Sequence, residues 1–303
     1  MVSIAFFRRV AFLTVLFAYL QIALGGVVRV TGSGLGCPDW PLCNGRPYPA
    51  ADVHSIIEYS HRTVGAVTGI LLIATVVLAW TAFRHQRPLV AWLGTSSLVA
   101  IAAEGALGGV VVVKELAPWL VVAHLGLAMV ILGFLIATAV MSLPATSGVP
   151  DRSFRRVAWI GAGATFLMLL TGSTVVASSA DETCRAWPLC GNGFTFDLSG
   201  ANAFTMLHRG AVLAIGVLLV YVLISAMRRA ALRPAALATL VVFALQVAVG
   251  AGAALTAAAL FNGLHVAIAT LVWSGMLSIA LLTLPRADRE RSMSRLAVEK
   301  RPA

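Results

Sequence analysis

The sequence predicts an all-α integral membrane protein: eight transmembrane helices arranged as two tandem, pseudo-symmetric four-helix bundles. Three observations carry this. First, the 303 residues are 59% hydrophobic and only 11% charged, against roughly 25% charged in an ordinary soluble domain, and the mean hydropathy is +0.92. A soluble globule cannot hide that much apolar surface, and a disordered chain is poor in it. Second, apolar runs long enough for a hydrocarbon core, about 20 residues per helical crossing, recur eight times. Third, the second half repeats polar landmarks of the first.

In chain order the runs cover 10–30, 62–82, 89–113, 119–142, 157–177, 205–227, 235–256 and 262–284. Charged or turn-forming residues separate the first seven. The break near 257–261 rests on length, because one uninterrupted span across the last two runs far exceeds a core of about 30 Å. The first run follows Arg8 and Arg9 and so resembles a signal peptide, but the repeat assigns it to the mature fold. The organisation is therefore 1–150, 151–285 and a basic tail over 286–303.

Net charge is +10, from 22 Lys+Arg against 12 Asp+Glu. In a soluble protein this would point to nucleic acid. Threaded through eight spans it sorts instead. Arg8, Arg9, Arg84, Arg87, Arg152, Arg155, Arg156, Arg228, Arg229, Arg233, Arg286, Arg289, Arg291, Arg295, Lys300 and Arg301 fall on one side. Arg29, Arg46, Arg62, Lys114, Arg185 and Arg209 fall on the other. The positive-inside rule then sets both termini in the cytoplasm of a plasma-membrane protein. The charge reports topology, and a nucleic-acid partner is not expected.

The repeat begins in the two long outer loops. Cys37-Pro-Asp-Trp-Pro-Leu-Cys43 matches Cys184-Arg-Ala-Trp-Pro-Leu-Cys190 at an offset of 147, which also relates Gly25 to Gly172 and His61-Arg62 to His208-Arg209. His124 and His265 differ by 141, so the second half is slightly shorter. Each unit has an even number of spans, so the copies are parallel, related by an axis along the membrane normal.

Four of the six histidines sit at matched places, each within a turn or two of the outer face given a rise of 1.5 Å per residue: His61 and His124 in the first half, His208 and His265 in the second. A single histidine in a span is ordinarily a packed residue bonded to a carbonyl. Two matched pairs, without acidic or thiolate neighbours at the same spacing, suit haem iron better than zinc, which takes three or four protein ligands. Two bis-His haem sites follow, one per half, near the outer face. His54 reads as a loop residue and His85 as part of the turn between Arg84 and Arg87. Arg62 and Arg209 follow the first histidine of each pair. Their planar forks suit haem propionates, although snorkelling to headgroups is the alternative.

The halves differ at acidic positions. Glu58, three residues before His61, corresponds to Thr205, and Glu104 within the third run corresponds to Gln246. A carboxyl beside one haem pocket could handle protons or stabilise positive charge; a helix-start Glu favoured by the dipole is the plainer account. Glu104 is equally readable as a functional acid or as a neutral packing residue. Each cysteine pair faces an oxidising compartment and could close a small structural disulfide. Alternatively the first, beside the asymmetric half, is redox-active.

Taken together, Glu58-Tyr59-Ser60-His61-Arg62, His124, His208-Arg209, His265, both outer cysteine pairs and the Gly25-Gly26-x-x-Arg29-x-Thr31-Gly32-Ser33-Gly34 stretch resemble the haem A synthase family, in its bacterial cysteine-containing branch. The resemblance runs over nearly the whole chain. It implies oxidation of the C8 methyl of haem O to a formyl group, by two hydroxylations and a dehydration, giving haem A for terminal oxidases. It implies that His61 and His124 hold the substrate haem with Glu58 assisting, and that His208 and His265 ligate a haem b cofactor. It also implies a functionally sensitive Cys37–Cys43 disulfide and a more structural Cys184–Cys190. The partners it implies are haem O, haem A and the lipid bilayer. Haem O synthase, oxidase assembly factors or a second copy of the chain are further candidates. The alternative is a di-haem b-type electron-transfer cytochrome that oxidises quinol.

Overall fold

A computed structural model describes residues 3–144, 151–191 and 194–285. The boundary at 150 and the basic tail 286–303 lie outside the described residues. Among the described residues nine helices form: α1 (Ile4–Val30), α2 (Val53–Phe83), α3 (Pro88–Val113), α4 (Pro118–Met141), α5 (Arg152–Ala177), α6 (Ala180–Thr183), α7 (Asn202–Met227), α8 (Arg233–Thr256) and α9 (Ala259–Leu282). All except α6 are long and apolar enough to cross a membrane. Among the same residues no strand forms, only an isolated bridge between Cys43 and Arg46. The protein is an all-helical, multi-pass membrane protein.

Most of the helices begin before their apolar runs do. The largest extension is at α2, which begins at Val53 rather than at 62. Asp52 caps it by accepting from the Ser55 backbone N–H at 2.9 Å, one of the donors a helix start leaves unpaired. Hydropathy marks only the span that lipid sees, so the polar first turns carrying Glu58 go unseen. His54 consequently lies in the first turn of α2, not in a loop, with Nδ1 3.0 Å from Ser33 Oγ. Asp151 caps α5 in the same way, accepting from Phe154 N–H at 2.7 Å. His85 lies in the turn between α2 and α3, as expected. The one-turn α6 in the second long loop has no counterpart in the apolar pattern. Between α8 and α9 only Ala257 and Ala258 intervene, with Ala257 in the left-handed region at φ 51°.

The first four helices close a ring: α1 packs on α2, α2 on α3, α3 on α4 and α4 on α1. A second ring runs α5, α7, α8, α9 and back to α5. The rings meet where α1 and α4 contact α9 and α4 contacts α5. Lipid supplies no hydrophobic drive between helices, so close packing over small residues and buried polar pairs does the joining. Gly133 of α4 lets the Trp273 indole of α9 close in; a Cβ there would come within 2.9 Å of the ring. Thr14 and Thr75 share a buried hydrogen bond of 2.8 Å between α1 and α2. At the end of α4, Arg8 donates to the Ser142 carbonyl at 2.6 and 3.1 Å, and Arg87 to that of Leu143 at 2.9 Å. Cations there complement the negative end of the helix dipole.

Candidate functional site

Each of the four matched histidines stands near the start of its helix and rests against a glycine of the preceding span. His61 on α2 meets Gly25 on α1, and His124 on α4 meets Gly108 on α3. His208 on α7 meets Gly172 on α5, and His265 on α9 meets Gly250 on α8. A Cβ at these glycines would lie 3.3, 3.2, 3.0 and 2.8 Å from the respective imidazole Cε1. The missing side chain is therefore what admits the ring. Gly25 and Gly172 are visible in the repeat; Gly108 and Gly250, offset by 142, complete the set.

The rings of a pair come from opposite members of a helix ring, α2 with α4 and α7 with α9. In the second half the His208 and His265 centroids are 6.5 Å apart with planes at 86°. Two imidazoles on either side of one metal, at bonds of about 2 Å, require centroids about 6 Å apart. Thr171 Oγ1 lies 3.0 Å from His208 Nδ1, and Gln246 Nε2 lies 3.0 Å from His265 Nδ1. In the first half Gln21 Nε2 is 3.2 Å from His61 Nε2, and Glu104 Oε1 is 3.0 Å from His124 Nδ1.

Buried polar atoms are normally hydrogen-bonded. Among the described residues, the buried side-chain N and O atoms without a hydrogen-bond partner are Gln21 Oε1, His61 Nδ1, Glu104 Oε2, His124 Nδ1 and Gln246 Oε1. Every one belongs to a histidine of the two pairs or to its immediate neighbour. The His124–Glu104 contact is close enough for an ion pair yet off hydrogen-bond angle, which is why His124 Nδ1 is in this group. A donor set of paired imidazoles, with polar atoms left unsatisfied around them, fits a large iron-bearing macrocycle.

Above the first pair lies the Cys37–Cys43 loop. Its disulfide is formed, as is Cys184–Cys190 in the second loop, and all four cysteines are buried. The Trp-Pro peptide bond inside each loop is cis. The first loop is clamped from α2. Arg62 Nη1 donates to the carbonyls of Asp39 (2.8 Å) and Leu42 (2.7 Å), and Nη2 to that of Cys37 (2.7 Å) and to Glu58 Oε1. Glu58, itself buried, accepts the Cys37 backbone N–H with Oε2 at 2.7 Å. Trp40 lies against Gly109, whose Cβ would come 3.0 Å from the indole. Asp39 closes the loop tip by accepting from Gly45 N–H at 2.7 Å and from Asn44 N–H. Those donors, Gly45 foremost, then Asn44, with the Arg62 charge adding, hold the Asp39 carboxyl below the usual carboxylate range. In the second loop, among the described residues, Arg209 donates to Pro188 O alone, at 3.1 Å, and Thr205 Oγ1 lies 3.4 Å from Ala180 O.

The structure thus brings Glu58, Arg62, Cys37 and Cys43 into one cluster beside His61. It engages Arg62 with the loop rather than leaving its fork open. Sequence reading missed Gln21, Thr171, Gly108 and Gly250. Only the two glycines carried a signal, through the repeat.

Comparisons with known proteins identify a family. The family model described as cytochrome oxidase assembly protein, COX15-CtaA, matches residues 8–277. A heme A synthase of Symbiobacterium thermophilum is 31% identical over 88% of this chain and 92% of its own length. One of Bacillus cereus is 29% identical over 74% of each chain. One of Bacillus licheniformis is 30% identical over 57% of this chain and 60% of that protein. The chain belongs to the COX15-CtaA family of cytochrome oxidase assembly proteins, alongside relatives that carry the name heme A synthase.

Proposed function

We propose that this protein is a haem A synthase, an oxidoreductase that converts the C8 methyl of haem O to the formyl group of haem A. The carrying observation is that the unpartnered buried polar atoms gather on and around the two histidine pairs. Family membership and the names of the relatives support the reaction. The substrate haem is held in residues 1–150 by His61 and His124. Haem b is held in residues 151–285 by His208 and His265. Haem O brings the methyl to be oxidised, and haem b brings a one-electron redox centre. The count of basic residues orients both termini to the cytoplasm, with the cysteine loops and both haem sites toward the outer face.

The chain's own contribution is positioning. The four glycines set the imidazoles at fixed depth. The Glu58–Arg62 pair holds the disulfide loop over the first site. With Oε1 on Arg62 and Oε2 on Cys37 N–H, both oxygens of Glu58 are engaged with the loop and its clamp. Any proton handling at Glu58 takes place at a group that also anchors the loop. Arg209, with its carbonyl bond to Pro188, is the freer of the two arginines to meet a propionate. The acidic groups of the first half, Glu58 and Glu104, stand where the second half has Thr205 and Gln246. This inequality favours one reacting and one resident haem over two equivalent electron-transfer haems.

The test is pigment extraction after expression with a haem O supply. Haem A should accumulate with the unmodified protein and not with His61→Ala, while haem b stays bound in both. Continued haem A formation by His61→Ala, or two haem b with no haem A from the unmodified protein, overturns the reading.

A further inference from the structure

Glu104 stands on α3 one turn before Gly108, the glycine that admits the His124 ring. Its Oε1 lies 3.0 Å from His124 Nδ1, its Oε2 is buried without a partner, and its side chain is 13% exposed. Among the described residues its one ion-pair partner is His124. A carboxyl in a span is costly, and such a residue ordinarily serves the site it faces. At the matched place on α8, one turn before Gly250, stands Gln246. Its Nε2 lies 3.0 Å from His265 Nδ1 and also donates to the His265 carbonyl at 3.1 Å. The neighbour of His265 is thus a neutral amide, which can face the ring with its nitrogen or its oxygen, whereas Glu104 turns a carboxyl oxygen.

A metal-bound imidazole donates its other N–H to a neighbour, which fixes the ring's tautomer and orientation and raises its basicity. A carboxyl oxygen does this more strongly than an amide, because hydrogen bonds to an ionised acceptor are roughly twice as strong. We propose that Glu104 is a positioning residue acting through His124. Its Oε1 accepts the Nδ1–H, presents Nε2 to the substrate haem iron, and makes His124 a stronger electron donor than its counterpart His265. The pair stands at hydrogen-bond distance but off hydrogen-bond angle, and such bonds often tighten only when a site is occupied. Ligand hydrogen bonding is one of a protein's levers on haem reduction potential, so the first-half haem is held at a lower potential than an amide at residue 104 would give. The assignment rests on the reading that His124 holds that haem.

The experiment is an optical redox titration of the purified full-length protein carrying haem in both halves. Glu104→Gln should shift the first-half haem to higher potential and leave the second-half haem unmoved. The reciprocal Gln246→Glu should shift the second-half haem downward. A packing role for Glu104 would move neither potential selectively, so unchanged potentials in Glu104→Gln overturn the proposal. If that variant does not accumulate, absence of a downward shift in Gln246→Glu overturns it. A distinct result, haem in only one half and a spectrum unchanged by His124→Ala, removes the haem reading itself and the proposal with it.

Discussion

Oε2 of Glu58 accepts a 2.7 Å hydrogen bond from the backbone N–H of Cys37, so the acid beside the first histidine pair is tied directly to the disulfide loop above it. Its other oxygen is on Arg62. Glu58→Ala leaves the mostly buried guanidinium without its counter-charge and the Cys37 N–H without an acceptor. Removing one partner of a buried pair costs on the order of 3 kcal/mol, which is about a hundredfold in a local opening equilibrium. Reduction of Cys37–Cys43 by a water-soluble reductant should accelerate by that order. Glu58→Gln keeps the shape but offers only one acceptor oxygen to two donors and removes the counter-charge of Arg62, so it should accelerate reduction as well, while Glu58→Asp, which keeps the carboxylate, should accelerate it less.

Arg62 spreads its fork over three loop carbonyls and Glu58. A lysine ammonium cannot reproduce that planar geometry. Arg62→Lys should therefore loosen the first loop, read as faster reduction of Cys37–Cys43. Arg209→Lys should leave reduction of Cys184–Cys190 nearly unchanged, because among the described residues Arg209 makes one carbonyl bond there. Equal effects at the two arginines would contradict this account.

Gly250 is the tightest of the four histidine-bearing glycines, with only 2.8 Å between the place a Cβ would take and His265 Cε1. Gly250→Ala must rotate or displace the imidazole, and overpacking of this kind costs about 1–3 kcal/mol. On the proposed reading of two haem sites, the expected outcome is loss of second-half haem from the absorption spectrum with first-half haem kept. Gly210→Ala, at a position with nothing within 4 Å of the added atom, should leave the spectrum unchanged.

The pH dependence of the first loop follows from Asp39. Its carboxyl is held below the ordinary range, first by the Gly45 N–H and then by that of Asn44 and the Arg62 charge. A depressed carboxylate contributes stability that is complete above its unfolded value, about pH 4, and is lost as pH falls through the lower folded value. Reduction of Cys37–Cys43, corrected for thiolate fraction, should be flat from neutral pH down to about 4 and accelerate below it. Asp39→Asn should remove that acid-side rise. Persistence of the rise in Asp39→Asn would assign it to another group.

Much of this was legible along the chain. The eight spans, the matched histidines and the cysteine pairs follow from hydropathy and one offset. The start of α2 was legible in principle through the Asp52 cap, yet hydropathy placed it at 62. That shift matters, because it sets Glu58 on the same helix one turn before His61 and Arg62 and lets Glu58 and Arg62 pair at i, i+4. The histidine seats were half legible, since Gly25 and Gly172 recur in register while Gly108 and Gly250 need the slightly different offset of the shortened second half. Gln21 and Thr171 carried no signal. Each is an ordinary polar residue within a span until a ring from the next helix arrives beside it.

By itself the sequence determined membrane residence, the number of spans and the four matched histidines. Those properties are sums over neighbouring residues, and a sum survives without knowing what packs on what. Only the tertiary structure decided that Glu58 and Arg62 clamp the disulfide loop, that glycines seat the rings, and that Glu104 rather than Glu58 touches a histidine. Partner choice depends on distances of about 3 Å between different helices, and these exist only once the helices have closed into their rings.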